Sequence, residues 1–575
     1  MYTNKNISEP IQQKPFRLWP GVVIGILLWL IRFGIPLFIP EKSGIAVLGG
    51  ILLGLAVFVW WGFFSRAPRF ERWFAIALMV VALVATSQIL HKSIATAMMG
   101  TMFALYSIPV LNLAFVVWAV VSRRFSVKLQ RATMVATILL ASGFWAFLRT
   151  YGIDGEGHQD FAWRWTKTAE ERLLSQNNDK LITMPLNSAA MKTETEWSGF
   201  RGLNRDGIIH GINIKTDWSK TPPVEMWRRS VGLSYSSFAV HGSSLYTQEQ
   251  RGEYEMVTCY NLNTGDPIWI HSDSVRFSDL HAVAGPRSTP TLSNGRVYTL
   301  GATGILNVLD EQDGTVVWSR NAAKDADVEV PGWGYASSPL VVDNNVFVAV
   351  AGQLIAYDIA TGKKCWSSSD GGESYSSPHL LTISGTKQIV FMNNFGATGY
   401  SLIDGKELWK FPCEGPRIVQ PAIINETDIL TSIGEKQGIR RIEIKNESNK
   451  WIVKERWASD KLKPYFNDFI VHKGHVYGFD GPNLVCIDIE KGDLKWKGGR
   501  YGGQILLLAD QDLLLVLSEK GELALVMANP EQFKEFAQFP AIKGKTWNHP
   551  VLVSNILLVR NTQEMVAFRL PLANS

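Results

Sequence analysis

The feature that most constrains this chain is a tryptophan that recurs at the end of a short phrase in the C-terminal part of the sequence. The phrase is an Asp or a related residue, three residues, Gly, three residues and Trp. Its copies, strict and loose, are Asp310…Gly314…Trp318, Asp358…Gly362…Trp366, Asp488…Gly492…Trp496, Asn261…Gly265…Trp269, Ser401…Gly405…Trp409 and Glu443…Glu447…Trp451. Counted from Trp227, the tryptophans of these copies follow one another at intervals of 42 to 49 residues. This spacing indicates a repeated structural unit.

Each phrase is typical of a tight hairpin. Asp or Asn starts the turn by bonding its own backbone, and Gly supplies the positive φ that the turn needs. The Trp then lies on the outgoing strand, where its broad face packs against the neighbouring unit. Short alternating segments such as 296–300 and 345–349 precede the phrases. Each unit therefore has about four strands, as a propeller blade of roughly 40–50 residues does.

The repeats predict eight blades. Six units end in a tryptophan, and a seventh runs from about Gln504 to Phe536 without one. An eighth begins at Trp547 and stops at Phe568, too early for its last strand, and the unmatched segment Val224–Arg228 supplies that strand. Closure of this kind removes open sheet edges. Seven blades is the alternative, if the weak seventh unit merges with its neighbour.

Small hydroxyl residues, often followed by proline, mark the start of most units. These segments are 235–237, 287–290, 335–339, 375–378, 419–421 and 548–550. They lead into the innermost strand of each blade and therefore ring one mouth of the central channel. Small side chains suit crowded inner strands, and proline is tolerated at a strand start. Packing alone explains the pattern, and a ligand funnel formed by the bulkier members is the second interpretation.

The N-terminal quarter has a different composition. The chain of 575 residues is 46% hydrophobic and 19% charged overall, but residues 18–148 are nearly all apolar. Five apolar stretches, at about 18–40, 44–64, 73–90, 100–121 and 132–148, approach the ~20 residues that span a bilayer. We therefore expect five transmembrane helices. The predicted fold class is an N-terminal transmembrane α-helical region followed by an all-β eight-bladed propeller.

The basic residues of the short loops predict the orientation of these spans. Only Lys42 and Lys92 lie in the loops after the first and third stretches. The N-terminal tail and the other two loops contain Lys5, Lys14, Arg17, Arg66, Arg69, Arg72, Arg123, Arg124, Lys128 and Arg131. Because basic loops stay in the cytoplasm, the N-terminus is predicted to be cytoplasmic. Five spans then place the propeller in the periplasm, anchored to the inner membrane.

Arg32 is the clear ionisable residue within the predicted spans. Such residues can mark a transport or electron-transfer pathway. Arg32 lies toward the outer end of its span, so snorkelling of its side chain to the interface explains it as well. A simple anchor is therefore favoured over a transporting or electron-transferring membrane region.

We expect an anchor over residues 1–149, a periplasmic linker and lead-in over 150–223, and the propeller over 224–570. The linker contains a polar helical stretch near Thr168–Gln176. A net charge of +5 is too weak and too dispersed to indicate nucleic-acid binding. The four Cys residues include no CxxC pair and indicate neither a metal site nor a disulfide framework.

The segment Ala356-Tyr357-Asp358…Gly362…Trp366 matches the tryptophan-docking motif of the quinoprotein family, A-x-D-x-x-x-G-x-x-x-W. The repeat resembles the propellers of PQQ-dependent alcohol and glucose dehydrogenases. It is also similar to the outer-membrane-assembly propeller lipoproteins, which bind no PQQ. The run 197–207 looks like the opening of PQQ-like propellers of unassigned function. Five spans before a propeller resemble membrane-bound quinoprotein glucose dehydrogenase, whose spans pass electrons to ubiquinone.

The resemblance implies PQQ and Ca²⁺ as possible cofactors of a site at the channel mouth. Arg287 and Arg417 are the candidate ligands for cofactor carboxylates, because arginine is a rigid bidentate donor. Trp333 and Trp547 are the candidates for stacking on a planar ring.

Three further residues are candidates for chemistry at the same mouth. Asn467 is a candidate metal ligand, since Ca²⁺ prefers oxygen donors. Asp468 and His549 are candidate catalytic acid and base groups. A purely structural role is the alternative for each of them.

Two functions follow from these patterns. The sequence lacks the adjacent cysteines, the long inserted segments and the CxxCH haem motif of the large dehydrogenases. This favours a membrane-anchored periplasmic module that binds a protein or a small ligand without catalysis. The alternative is a PQQ-dependent membrane dehydrogenase that oxidises an alcohol or sugar and reduces ubiquinone. A tryptophan ring at the base of the site, with arginine and carboxylate side chains converging on it, would support the enzyme. A plugged channel would support the binding module.

Overall fold

The computed structural model describes residues 17–39, 42–153, 159–175, 196–278, 284–413, 418–432 and 437–573. These residues form two compact units, Met1–Thr166 and Lys167–Ser575. The first is helical and the second is built almost entirely from strands.

Among its described residues, the first unit has four helices that are long and apolar enough to cross a membrane. They are Trp19–Phe38, Gly44–Phe64, Arg69–Ser87 and Met102–Arg124. Shorter helical segments are Lys92–Thr96, Ala97–Gly100, Val127–Gly143 and Phe144–Phe147, and a hairpin follows with strands Leu148–Ile153 and Gln159–Trp163. Trp60, Trp61, Phe115 and Trp118 form an aromatic core between the long helices.

The fifth predicted span differs from the expectation. Its helix covers Val127–Gly143, which is 17 residues long. It begins earlier in the chain than the apolar stretch and so includes Lys128 and Arg131 in its first turns. Four of the described helices are therefore long and apolar enough to span a membrane, and the fifth span, which Val127–Gly143 would form together with Phe144–Phe147, stays a prediction. The predicted orientation depends on an odd number of spans, so it stays a prediction.

The second unit is an eight-bladed propeller, as the repeat predicts. Blades 1 to 4 consist of the strands Ala239–His241, Ser244–Arg251, Tyr254–Asn261 and Pro267–Asp273; Thr291–Ser293, Arg296–Leu300, Ile305–Asp310 and Val316–Asn321; Leu340–Val342, Asn345–Val350, Gln353–Asp358 and Lys364–Ser367; His379–Ile383, Thr386–Asn393, Gly396–Tyr400 and Glu407–Pro412. Blades 5 to 8 consist of Ala422–Ile423, Asp428–Ser432, Ile439–Glu447 and Lys450–Ser459; Ile470–His472, His475–Asp480, Asn483–Asp488 and Leu494–Arg500; Gln504–Leu508, Leu513–Leu517, Glu522–Met527 and Glu535–Pro540; Val551–Val553, Ile556–Arg560, Glu564–Arg569 and Val224–Ser230.

The ring closes in the predicted way. Val224–Ser230 pairs antiparallel with Glu564–Arg569, so the first blade-forming strand of the chain completes the last blade. Two strands from the preceding segment extend the ring further. Glu196–Trp197 joins the inner edge of blade 1, and Ile208–Ile209 runs parallel to Gln504–Leu508 in blade 7. The short first strands of neighbouring blades lie against one another and line the central channel.

The recurring tryptophans wedge each blade against the next. Their indole N–H groups donate to backbone carbonyls of the following blade at 2.6–3.2 Å. The pairs are Trp227–Leu262, Trp269–Glu311, Trp318–Ile359, Trp366–Leu402, Trp457–Ile489 and Trp496–Asn529. The turn glycine of the next blade receives the ring: a Cβ at Gly362 would lie 2.7 Å from Trp318. Gly362 also has φ +67°, which side chains rarely adopt.

Blade 5 departs from this pattern, and the assignment of Trp451 to the docking position is wrong. Trp457 packs on Gly492 of blade 6 instead. The reason is the blade 5 hairpin, which turns tightly through Ser448 and Asn449, both at positive φ, without a glycine. Trp409 of blade 4 therefore has no turn glycine to meet, and its indole bonds Gln388 within its own blade.

A short helix, Ala169–Ser175, begins the second unit where the sequence predicts a polar helical stretch. Thr168 caps it: its Oγ1 accepts from Glu171 N at 2.9 Å, and its own N–H donates to the Glu171 carboxylate at 2.6 Å. Glu170 accepts from Gly252 N and forms an ion pair with Arg276, both at 2.8 Å. The helix is thereby attached to blade 1.

Candidate functional site

A belt of hydrogen bonds runs around the channel through the first residues of the blades. In blades 1 to 5 the backbone N–H at this position donates to the side chain of the equivalent residue in the next blade, at 2.9–3.2 Å. The steps are Ser237–Thr289, Thr289–Ser338, Ser338–Ser377, Ser377–Gln420 and Gln420–Asp468. The small polar residues at the blade starts are therefore acceptors that join neighbouring blades. This arrangement confirms the packing interpretation for these positions.

The segment Ser198–Gly207 fills the channel that this belt surrounds. Its path touches the inner edges of blades 2, 3, 4, 6, 7 and 8. The contacts include the backbone bonds from Leu292 N to Ser198 O at 2.7 Å and from Leu507 N to Gly207 O at 2.9 Å. The ring of Phe200 meets His549 edge-on at 5.1 Å. We call Ser198–Gly207 the plug.

Two buried arginines fix the plug. Arg205, 7% exposed, donates to the carbonyl oxygens of Pro378, Ser338 and Pro339 at 2.8–3.0 Å. Arg201 donates to Phe469 O at 3.0 Å and to Asp206 O at 2.9 Å. Burial lowers the pKa of Arg205 to about 9, which leaves it charged at neutral pH. The plug therefore holds two buried cations, Arg201 and Arg205, in fixed positions inside the channel.

Asp468 and His549, the predicted catalytic pair, lie together beside the plug. His549 Nε2 is 3.3 Å from Asp468 Oδ2, and Arg201 Nε is 3.7 Å from the same oxygen. Burial opposes ionisation of Asp468, but the Arg201 charge and the bond from His549 prevail and lower its pKa to about 2. Burial lowers the pKa of His549 as well. The pair is thus an ionised carboxylate with a neutral imidazole, and Asp468 also serves as an acceptor of the belt.

Asn467, the predicted metal ligand, has a structural contact. Its Nδ2 donates to Gly503 O at 2.6 Å, which joins blades 6 and 7 where Gly503 offers no side chain. The neighbouring carboxylate of Asp468 already balances Arg201. The described residues contain no group of three or more His, Cys, Asp or Glu placed to hold a metal ion. This donor set does not fit Ca²⁺, which needs six to eight oxygen ligands.

Trp547 lies at the mouth in an aromatic cluster. Its ring is 5.3 Å from Tyr235, nearly parallel, and 4.9 Å from Phe466. Lys545 Nζ lies 3.9 Å above the indole, whose N–H donates to Glu519 at 2.6 Å. The faces of Trp547 are therefore already occupied, which does not fit stacking of a flat cofactor on this ring.

Arg287 borders the same cluster. Its guanidinium lies 5.8 Å from the Tyr235 ring and 4.7 Å from Phe277. Close by, Glu255 accepts from Ala302 N at 3.1 Å, and burial raises its pKa to about 7. The ring of Trp333 pairs with that of Tyr375, with 5.0 Å between the ring centres. Arg417 lies outside the described residues.

Sequence reasoning missed the groups that dominate the channel. Arg201 and Arg205 lie in the run 197–207, to which the sequence alone assigns no functional role. Gln420 lies in the blade start 419–421 and is likewise given no role of its own. His379 is also buried there: burial and the charges of Arg205 and Arg201 lower its pKa to about 3. The sequence signal that could have revealed the plug is a pair of arginines between glycines, just before the first blade.

Comparison with known proteins agrees with the fold. The family described as outer membrane protein assembly factor BamB matches residues 224–331 and 253–498. The second unit is a PQQ-like repeat propeller, related both to BamB and to the quinoprotein alcohol dehydrogenases.

Particular relatives match parts of the chain. Quinohemoprotein alcohol dehydrogenase ADH-IIG of Pseudomonas putida is 31% identical over 149 residues, 22% of this chain and 19% of that protein. BamB of Burkholderia pseudomallei (strain K96243) is 26% identical over 196 residues, 33% of this chain and 46% of that protein. The chain thus spans less than half the length of either curated relative. The solved structure of ADHIIG from Pseudomonas putida HK5 aligns with a TM-score of 0.48 at 13% identity, covering 65% of this chain and 80% of that one.

Proposed function

We propose that the propeller is a membrane-anchored binding module and that it does not carry out quinoprotein catalysis. One observation carries the proposal: the plug that occupies the channel brings Arg201 into an ion pair with Asp468, the best candidate for a catalytic carboxylate. A planar cofactor on the channel axis would have to displace a segment bonded to several blades. Neither the Trp547 faces nor the Asn467 amide is available to such a cofactor.

The mouth is the surface that we assign to binding. Aromatic rings with cationic groups beside them, here Trp547 with Lys545 and Tyr235 with Arg287, suit an anionic ligand or an acidic peptide of a protein partner. Tyr465 adds a 40% exposed ring next to Phe466. A periplasmic protein or a small anionic molecule is the partner class that this surface supports.

The dehydrogenase is the second candidate, and Glu255 is the observation that favours it. A buried carboxyl with a pKa near 7 beside a cationic group is typical of acid–base sites. In this alternative the protein would bind PQQ at the mouth, oxidise an alcohol or sugar and pass the electrons to ubiquinone.

Reconstitution separates the two functions. The purified full chain is incubated with PQQ and Ca²⁺, dialysed, and tested for quinone absorbance and for dye reduction with alcohols and sugars. A membrane quinoprotein glucose dehydrogenase treated in parallel is the positive control. We expect no retained quinone and no dye reduction. Retained PQQ with substrate-dependent reduction would overturn the binding-module proposal.

We further propose that the anchor lies in the inner membrane with a cytoplasmic N-terminus and a periplasmic propeller. Cys365 is exposed on blade 3, whereas Cys259 and Cys486 are fully buried. With Cys413 replaced by Ser, a membrane-impermeant maleimide should label Cys365 in right-side-out vesicles. Labelling confined to inside-out vesicles would reverse the orientation.

A further inference from the structure

Arg32 occupies an unusual position in the first membrane-spanning helix. The helix Trp19–Phe38 widens into a π-helical turn at Leu30–Gly34, and Arg32 is at the centre of that turn. Such turns insert an extra residue and occur frequently at functional sites. The side chain is only 7% exposed, so it points into the bundle and the snorkelling explanation is wrong.

The side chain of Arg32 is held by the second and fourth helices. Its stem crosses Gly50, where a Cβ would lie 2.8 Å from Arg32 Cδ. Its guanidinium lies 4.6 Å from the centre of the Tyr106 ring. A cation–π contact of this kind orients the guanidinium but brings no negative charge, so it leaves the arginine unbalanced.

Two buried donors near Tyr106 have no acceptor among the residues that the structure describes. Nη2 of Arg32 is buried without a hydrogen-bond partner among the described residues, and so is the indole N–H of Trp145. The Trp145 ring lies 6.3 Å from Tyr106. Glu71, a carboxylate of the same unit, pairs with Arg131 instead. A buried cation and a buried N–H without acceptors are costly in an apolar bundle, so both point to a ligand that brings acceptor oxygens.

We propose that Arg32, Tyr106 and Trp145 form a binding site for the headgroup phosphate of an anionic phospholipid. The charge argument selects an anion: a neutral carbonyl compound such as a quinone would accept hydrogen bonds but would leave the guanidinium charge unbalanced. The depth of Arg32 along its membrane-spanning helix also suits a lipid headgroup. Arg32 precedes Phe38, the end of the helix, by six residues, about 9 Å at 1.5 Å per residue. A phospholipid in the leaflet around the Phe38 end of the helix reaches this depth when its phosphate is drawn slightly inward.

Native mass spectrometry of the full chain tests the site. The protein is released from nanodiscs that contain equal parts phosphatidylethanolamine and phosphatidylglycerol. We expect one tightly retained phosphatidylglycerol. Arg32→Met should reduce its retention about tenfold, as expected when a charge-assisted bond is lost. Arg32→Lys should keep most of it, because the charge remains.

Matched controls keep the result decisive. Arg123→Met removes an exposed arginine of the same unit and should leave lipid retention unchanged. Trp145→Phe keeps an aromatic side chain and removes the N–H donor, so it should weaken retention about threefold even if Arg32→Met fails to fold. Three outcomes would each overturn the proposal. They are equal retention of phosphatidylethanolamine, unchanged retention of phosphatidylglycerol in both Trp145→Phe and Arg32→Met, and a quinone found by mass in place of the phospholipid.

Discussion

Two arginines, one in each unit of this chain, are equally buried and are held in opposite ways. Arg205 of the propeller and Arg32 of the membrane unit are both 7% exposed. Arg205 donates to three carbonyl oxygens, whereas Arg32 has an aromatic ring beside it and an Nη2 that finds no acceptor in the described part of the chain. Burial alone therefore does not reveal the role of a charged residue. The contacts of Arg205 make it part of the architecture, whereas the buried charge of Arg32 is the ground on which we propose a lipid site.

The largest effect should follow from replacing Arg205 by Met. The substitution leaves the carbonyls of Ser338, Pro339 and Pro378 buried without a donor, and each unpaired group costs about 1–3 kcal/mol. We expect the free energy of unfolding of the propeller to fall by roughly 3–5 kcal/mol. Chemical denaturation of the full chain in detergent measures it. Arg569→Met, at an exposed position, is the control, and a stable Arg205→Met propeller would show that the plug is dispensable.

A smaller loss is expected for Arg201→Met. It removes the cation beside Asp468 and leaves a buried carboxylate without its partner, at a cost of about 2–3 kcal/mol. Adding Asp468→Asn should recover most of that stability, because the amide oxygen still accepts from Gln420 N while no charge remains. A double variant no more stable than Arg201→Met would mean that Arg201 acts mainly through its carbonyl contacts.

The blades could be predicted because their signal is local. Gly362 and its tryptophan partner Trp318 belong to neighbouring copies of one phrase, and each copy encodes its own turn. The prediction failed at blade 5 because the hairpin there turns through Ser448 and Asn449, which shifts the docking position to Trp457. No glycine marked that shift in the sequence.

The channel could not be predicted in the same way. Arg205 reaches Ser338 across 133 residues of sequence, and Arg201 reaches Phe469 across 268. Contacts of that range depend on the closed ring and have no local pattern. Asp468 and His549 were singled out by residue type, and the structure does bring them together. Their role as catalytic groups stays a prediction, because what surrounds them comes from a distant segment.

The buried His379 should make the stability of the propeller depend on pH. Its pKa in the fold is about 3, below the 6.5 of an unfolded histidine, because of burial and the charges of Arg205 and Arg201. The unfolded chain therefore binds more protons between these values, so stability is present near pH 7 and is lost as the pH falls. One such histidine gives a slope of at most about 1.4 kcal/mol per pH unit. Denaturation between pH 7 and 4.5 should show a shallower slope for His379→Gln, and equal slopes would place His379 in contact with solvent.

The smallest effect, and the one of opposite sign, is expected at Arg32. Replacing a buried unpaired charge with an apolar side chain of similar length removes a desolvation cost, so Arg32→Met should leave the thermal stability of the membrane unit in neutral detergent unchanged or raise it by up to about 1 kcal/mol. Adding phosphatidylglycerol should reverse the order, because only the wild type gains a bound anion. Thermal unfolding with and without the lipid measures both. If Arg32→Met behaved like Arg205→Met in neutral detergent, Arg32 would have a structural partner of its own, and the contrast between the two arginines would disappear.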